Sequence, residues 1–308
     1  MKDWLMIVNP ASASSSRKGN WKDCVRQLSE GGLSVECRLS DYPGHSVELA
    51  RAAAAEGFRK LISVGGDGTI HELMTGLLRW CDAEKADMGD FTLAVVPVGT
   101  GNDWIRTAGI PADMSAAVQC ILAGHTARED VVRLTFENGT YCMANVGGIG
   151  LDADICYYTN KLKKRGYRGG LLYKVMTPYP ILVKKRDPVE IVCDGELFFK
   201  GRFYSAVIGN GIYRGGGVRQ NEAGGAWDDG LLELSVMPAV SRARATVLMA
   251  RALSGNFAVQ PGILSRRFRR MTVTPLGTPD RFESDGEIPG TLPVTVELTG
   301  QQIKIIVP

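Results

Sequence analysis

Two glycine-rich loops constrain this chain more than any other feature, because each stands at the end of an apolar run and leads into a helical pattern. The first, Gly65-Gly66-Asp67-Gly68-Thr69, follows an apolar run over residues 60–64 and precedes apolar positions at Ile70, Leu73, Met74 and Leu77. Apolar residues three, four and seven apart mark one face of a helix. The second loop, Pro97-Val98-Gly99-Thr100-Gly101-Asn102-Asp103, follows another apolar run over residues 91–96. A strand, a glycine loop and a helix, used twice in succession, point to an α/β unit.

The flanking sequence extends that rhythm. Residues 4–8 form an apolar strand that ends at Asn9-Pro10, a turn signal. Asn20 is placed to cap a helix running to Glu30, and Gly31-Gly32 stops it. A second strand is predicted over residues 33–39, then an Ala-rich helix over 47–56 capped by Ser46. Asp113 is placed to cap a helix over 114–123, closed by Gly124. This alternation predicts a mostly parallel sheet covered on both faces.

After about residue 126 the pattern changes to strands and short turns. Glu137-Asn138-Gly139-Thr140, Asp194-Gly195 and Thr299-Gly300 each lie between apolar runs and read as hairpins. A helix is predicted near residues 241–253. The chain therefore divides into an α/β domain, 1–126, and an antiparallel β domain, 127–308.

Composition narrows the function classes. Of 308 residues, 44% are hydrophobic and 22% charged, as in a globular protein. A net charge of +3 does not argue for nucleic acid as a partner. No apolar stretch is long enough to span a bilayer and no secretion signal stands at the start. Seven scattered cysteines without a CxxC pair read as reduced cytosolic thiols. The expectation is a cytoplasmic protein that can still touch a membrane surface, with room for a homodimer.

The three loops at Asn9, Gly65 and Gly99 fall where strands of the first domain end, the edge at which open α/β sheets bind ligands. Glycines let a backbone approach a phosphate closely, and Thr69 opens a helix whose free N–H groups favour an anion. Asp67 puts a carboxylate beside that site, suited to magnesium or to a substrate hydroxyl. A lone Asp-Gly is ordinarily just a turn, but the full pentapeptide between strand and helix reads as a nucleotide-phosphate site. The chain has no Walker GxxxxGK[ST], no protein-kinase HRD or DFG, and no GxGxxG after the first strand, so the cradle is of another type.

With these loops the sequence resembles the diacylglycerol kinase catalytic family, which includes soluble bacterial lipid kinases and is related to sphingosine and ceramide kinases. Further residues carry the resemblance: Asn145 to Gly150, Gly209-Asn210-Gly211, Gly215-Gly216-Gly217, Asp228 to Leu232, and Asp285-Gly286-Glu287. It departs from the family where residues 11–16 lack the usual glycine, where His71 replaces asparagine, and where 218–223 lack a proline.

The resemblance implies an α/β nucleotide domain followed by a β-sandwich, with the active site in the cleft between them. It implies ATP and Mg2+ as cofactors and a lipid at a membrane surface as partner. Gly66, Asp67, Gly68, Thr69, Ile70, His71 and Glu72 would cradle the phosphates, with Thr100 adding a hydroxyl and Asn9 and Ser40 near the nucleotide. Asn102 and Asp103 would support a magnesium and water network with Asp67. Asp285 would take the proton from the lipid hydroxyl with Glu287 beside it, although Asp67 is a rival for that role. Asp194-Gly195-Glu196 repeats the triplet but reads as a structural hairpin turn.

Asp229, with the carbonyls of Ala226 and Leu231, resembles the family's structural metal site, and equally reads as a turn into a strand. Basic clusters at Lys161 to Arg168, Lys184 to Arg186 and Arg266 to Arg270 are candidate contacts for anionic headgroups. Only the first has aromatic and aliphatic neighbours that fit a membrane interface; the others read as solvated faces. The expected reaction is ATP-dependent phosphorylation of a lipid hydroxyl, most simply diacylglycerol to phosphatidic acid. A sphingoid-base or ceramide kinase, a NAD kinase, and a catalytically silent nucleotide or lipid sensor are the alternatives.

Overall fold

In a computed structural model, which describes residues 3–13, 20–98, 102–164, 187–220, 227–254 and 260–308, the predicted alternation forms a parallel sheet. The elements are β1 (Trp4–Val8), α1 (Pro10–Ala13), α2 (Trp21–Glu30), β2 (Val35–Leu39), α3 (His45–Ala55), β3 (Lys60–Gly65), α4 (Asp67–Glu84), β4 (Thr92–Pro97), α5 (Asp103–Ala108) and α6 (Met114–Ala123). Their caps follow from the sequence. Asn20 accepts the Lys22 N–H at 3.0 Å, and Asp113 accepts the Ala116 N–H at 2.9 Å. Ser46, expected as a cap, instead lies buried inside α3, which starts after Gly44.

Contacts divide the chain into a first unit, Met1–Val131 with Thr299–Pro308, and a second, Val132–Leu298. In the first, the strand order is β2-β1-β3-β4, all parallel. Strand periodicity of two sorts the side chains. Trp4, Met6, Val8, Ile62, Val64, Ala94 and Val96 pack with Cys24 and Leu28 of α2 and Met114, Val118 and Ile121 of α6. The alternate residues Leu5, Ile7, Leu61 and Val95 are equally buried, and the α3–α4 pair contacts β1 and β3. The pairings Val8↔Leu39, Val8↔Val64 and Gly65↔Pro97 keep the strand ends level, so all four strands stop at one edge.

The later elements are β5 (Thr126–Phe136), β6 (Gly139–Met143), β7 (Val146–Gly150), α7 (Leu151–Lys164), β8 (Val189–Cys193), β9 (Glu196–Gly201), β10 (Phe203–Gly209), β11 (Tyr213–Arg214), β12 (Val218–Arg219), β13 (Leu232–Pro238), α8 (Arg242–Ser254), β14 (Leu264–Phe268), β15 (Arg270–Pro275), β16 (Arg281–Ser284), β17 (Glu287–Thr291) and β18 (Val294–Ile306). The second unit is an antiparallel sandwich. One sheet runs β14-β13-β10-β7-β16-β17; the other runs β9-β8-β15-β18, with β5 paired to β18 and to β6. Ile149, Ala206, Ile208 and Phe282 of the first sheet share a core with Ile191, Val273 and Val296 of the second. On the opposite face of the first sheet, Val207 and Met237 pack against Leu151 and Ile155 of α7 and Ala245 and Leu248 of α8.

Two hairpin expectations need correction. Phe136 pairs directly with Gly139, so the loop is Glu137-Asn138 and Gly139 already belongs to β6. Thr299-Gly300 makes no hairpin: β18 continues through it, bending at Gly300, whose φ is 78°. A two-residue type I′ turn needs positive φ at both central residues, which β-branched Thr299 resists. Thr299 Oγ1 instead donates to the Val131 carbonyl at 3.1 Å. The earlier part of β18 pairs β15 antiparallel; its end, Lys304 and Ile305, pairs β4 parallel, so the chain's last strand completes the first unit's sheet.

Candidate active site

In the first unit, the level strand ends bring Asn9, Ser40 and Gly66 to one edge, following β1, β2 and β3. Asn9 Oδ1 accepts the Ala11 and Ser12 N–H groups at 3.1 and 3.3 Å, which holds the short helix α1, and its Nδ2 donates to Thr69 Oγ1 at 3.5 Å. Ser40 closes the edge by donating its N–H to the Val8 carbonyl at 2.9 Å. The loop after β3 depends on a missing side chain. A Cβ on Gly65 would lie 2.1 Å from Thr69 Oγ1, so only glycine lets the first turn of α4 fold back against the strand end. Gly66 precedes that turn in an extended conformation, and Asp67, Gly68 and Thr69 form it.

Asp67 links the two loops. Its Oδ2 accepts the Asp103 N–H at 3.0 Å and its Oδ1 accepts the Trp104 N–H at 3.2 Å, so it caps the start of α5 from a different segment. Asn102, in the left-handed region at φ 49°, turns the chain into that helix. Glu129 fixes the other side: both its carboxylate oxygens accept the Trp104 indole N–H at 3.1 Å, and it is fully buried. Sequence reasoning missed Glu129, which stands in a strand with no motif around it. The remaining expected residues divide. Ile70 and His71 are buried along α4, and Glu72 Oε1 accepts the Gly44 N–H at 2.9 Å, tying α4 to the start of α3. Thr100 lies outside the described residues.

In the second unit, Asp285 is the most elaborately held carboxylate. The Asp285-Gly286 turn has positive φ at both residues, 53° and 87°. Asp285 Oδ1 accepts the Asn145 and Val146 N–H groups at 2.8 and 3.1 Å, and Oδ2 accepts the Ala144 N–H at 2.9 Å and the Ser284 hydroxyl at 3.1 Å. Asp285 N–H donates back to the Val146 carbonyl at 2.9 Å. The Gly286 carbonyl accepts from Asn160 Nδ2 at 2.8 Å and Cys156 Sγ at 3.0 Å, both on α7. Asn210 and Gly211 donate their N–H groups to the Asn145 carbonyl at 2.9 Å, and Asn145 Nδ2 donates to the Tyr213 carbonyl at 2.8 Å. Motifs distant in sequence thus close on one another around Asp285. Glu287 is exposed and opens β17, paired with Ser284.

Three charged groups unforeseen from the sequence surround this turn. Asp152, in the first turn of α7, accepts from Ser205 Oγ and pairs with Arg214. Glu283 is buried on β16, with Oε2 accepting the Gly286 N–H at 3.2 Å. Burial pushes its carboxyl well above the usual carboxylate range; the negative charges of Asp152 and Asp285 push the same way, against the Gly286 N–H and Arg214. A Glu inside a short strand carries no sequence signal that separates it from a solvated one.

Among the described residues no group of three or more His, Cys, Asp or Glu is arranged to hold a metal by itself. Asp67 and Asp103 nonetheless suit magnesium, a hard cation that keeps water and phosphate oxygens among its ligands. At Asp229 the fit is poorer. Its Oδ1 accepts the Leu231 N–H at 3.1 Å and its Oδ2 pairs with Arg267, which already neutralises the carboxylate. Ala226 lies outside the described residues. The arginines of β14 and β15 have acidic partners of their own, Arg266 with Glu196 at 2.7 Å and Arg270 with Glu297 at 2.8 Å. Lys161 is exposed on α7; Arg165, Arg168 and the run Lys184-Lys185-Arg186 lie outside the described residues. Among the described residues no helix is long and apolar enough to cross a membrane.

Comparison with known proteins decides the family. The diacylglycerol kinase catalytic domain matches residues 3–134, and the YegS C-terminal NAD kinase beta sandwich-like domain matches residues 145–307. A probable lipid kinase YegS-like protein of Enterobacter sp. (strain 638) is 30% identical over 233 residues, covering 75% of this chain and 73% of that one. The chain belongs to the diacylglycerol kinase family. The diacylglycerol kinase of Bacillus subtilis (strain 168) is 27% identical over 312 residues, covering 100% of this chain and 97% of its own length. The crystal structure of a diacylglycerol kinase from Bacillus anthracis str. Sterne, 20% identical, superposes with a TM-score of 0.71 over 100% of this chain and 97% of that one. The expected α/β domain followed by a β-sandwich is therefore the family's architecture, and the chain is a kinase of this family.

Proposed function

We propose that this kinase transfers the γ-phosphate of ATP to the hydroxyl of a lipid, with diacylglycerol the first candidate acceptor and phosphatidic acid its product. The observation that carries this reading is the Asp285 turn, where five backbone and side-chain hydrogen bonds fix one buried carboxylate in a polar, glycine-lined surround. So much organisation around a single acid fits a group that must meet a substrate in one orientation.

The roles follow from the atoms. The loop of Gly66, Asp67, Gly68 and Thr69 binds the ATP phosphates at the start of α4, with Asn9, Ser40 and Thr100 completing that edge. Magnesium, when bound with ATP, neutralises phosphate charge, and Asp67 and Asp103 would hold it. Asp285 orients the acceptor hydroxyl. As the lipid oxygen bonds to phosphorus and the bond to ADP breaks, the hydroxyl proton passes to Asp285 Oδ2. Ala144, Asn145 and Val146 donate fixed backbone N–H groups to Asp285, whereas the Ser284 hydroxyl on Oδ2 is able to rotate away. A carboxylate suffices as acceptor because phosphoryl transfer depends mainly on positioning and charge neutralisation. Asp67 caps α5 by accepting the Asp103 and Trp104 N–H groups, and that position beside the phosphate loop suits a metal or positioning role better than that of base. A lipid acceptor also places the enzyme at a membrane surface, where Lys161 and the basic residues after it are proposed to meet anionic headgroups.

The test is transfer from labelled ATP with magnesium to mixed-micelle lipids, comparing wild type with Asp285→Asn. Transfer to one lipid class should fall by about a thousandfold in the variant while nucleotide binding is retained. Tight ATP binding without transfer to any lipid would favour a nucleotide sensor, and phosphorylation of NAD instead would favour a NAD kinase.

A further inference from the structure

Glu283 occupies an unusual place for an acid. It lies on β16 opposite Gly148 of β7, which in turn lies opposite Val207 of β10. Its neighbours Phe282 and Ser284 are buried too, Phe282 within the sandwich core, so Glu283 points to the other face, the one covered by α7. Gly148 makes room there. A Cβ at Gly148 would meet the Ala206 carbonyl of β10 tightly, at 3.1 Å, and would touch the Asp152 Cβ of α7 at 3.5 Å. Glu283 is 9% exposed, and its one hydrogen bond among the described residues is from the Gly286 N–H.

The charged surroundings are unfavourable for a further anion. α7 brings Asp152 and Asp154, the adjoining turn brings Asp285, and β17 brings the exposed Glu287. Of the cations, Arg214 is committed to Asp152, while Arg281 stacks 4.0 Å over the Tyr157 ring and stands 3.7 Å from Asp154. Cys156 is occupied with the Gly286 carbonyl.

We propose that Glu283 is a positioning residue for Asp285: buried on the α7 face of β16, its carboxyl accepts the Gly286 N–H and fixes that end of the catalytic turn. The inference rests on the reading of Asp285 as the group that receives the acceptor proton. Gly286 is gripped from two directions, its carbonyl by Asn160 and Cys156 and its N–H by Glu283, so the turn cannot rock when the hydroxyl docks. Ionising Glu283 adds a negative charge beside Asp152 and Asp285, a repulsion that works against the seating of the turn although the Gly286 N–H itself favours the anion. The sign follows from linkage: a carboxyl raised on folding stabilises the fold while protonated, and that contribution is lost as pH rises from the ordinary carboxylate range through its raised value.

The experiment pairs kinetics with a direct titration. Glu283→Ala should lower kcat about 100-fold with KM for ATP unchanged, and Glu283→Gln, which keeps an acceptor for Gly286 N–H, should restore most of it. Wild type should lose kcat on the alkaline side, and Glu283→Gln should lack that limb. An unchanged alkaline limb in Glu283→Gln, or a loss as deep as that of Asp285→Asn, would overturn the proposal. Independently of turnover, carboxyl-carbon NMR of glutamate-labelled protein should show one signal that titrates above the rest and vanishes in Glu283→Gln; uniform titration in the ordinary range would overturn it. If no lipid is phosphorylated while that signal behaves as expected, the lipid-kinase reading has failed and the catalytic role falls with it, but the neutral buried acid stands.

Discussion

At Asp194-Gly195 the backbone turns with φ of 51° and 84°, and at Asp285-Gly286 with 53° and 87°. Both triplets read Asp-Gly-Glu, and both aspartates accept backbone N–H groups from another segment, Asp194 from Arg269 and Arg270 at 3.0 and 2.9 Å. The difference lies in surroundings. Asp194 is exposed at the tip of the β8–β9 hairpin, whereas Asp285 is 4% exposed and enclosed by glycine-rich motifs. Asp194→Asn should therefore leave lipid phosphorylation within twofold of wild type and lower stability by about 1 kcal/mol, the net scale of one ordinary hydrogen bond. A denaturation midpoint and a kinase assay on the same preparation check both, and a large loss of turnover would place function in the wrong turn.

Helix α5 is only six residues long, and too short a helix has little stability of its own. What holds it is tertiary: Asp67 caps its start, and Glu129 grips the Trp104 indole. This helix carries Asp103, so the proposed metal site depends on the Trp104 contact with Glu129. Trp104→Phe removes the indole donor and leaves Glu129 buried with one partner fewer, at a cost of about 2 kcal/mol. Urea denaturation should show a lower midpoint, and magnesium-dependent ATP binding should weaken. An unchanged midpoint would mean that the indole contact contributes nothing to the loop. The paired Asp67 and Asp103 were legible as chemistry, but their connection through the α5 N–H groups was not, since it joins segments 36 and 37 residues apart.

The last strand has consequences for the whole molecule. β18 leaves the sandwich and ends beside β4, where Ile303 and Ile305 are fully buried and Ile306 is 3% exposed. Removing residues 299–308 would expose the sheet edge and forfeit about 2 kcal/mol for each of these side chains. That sum, about 6 kcal/mol, is comparable with the whole stability of an ordinary domain. A chain ending at Leu298 should lose ATP binding although every residue of the glycine loops remains. A nucleotide-binding titration checks this, and affinity equal to the full chain would show that the first unit folds without its returning strand.

The sequence by itself determined the local structure and the kind of chemistry. Strand and helix periods, the caps at Asn20 and Asp113, and the glycine loop at Gly65 act over a few residues, so a linear reading reaches them. It also marked Asp67, Asp103 and Asp285, because their neighbours form motifs. Only the tertiary structure decided the rest. Thr299-Gly300 has hairpin composition, yet β18 finds partners on either side of it, β15 before and β4 after, and continues as one strand. Glu283 looks like any strand acid until its burial, its neighbours Asp152 and Asp285, and the bare Gly148 opposite it are seen together. Burial and charge proximity are properties of what folds against a residue, and residues 283 and 152 are far apart until α7 lies on the sheet.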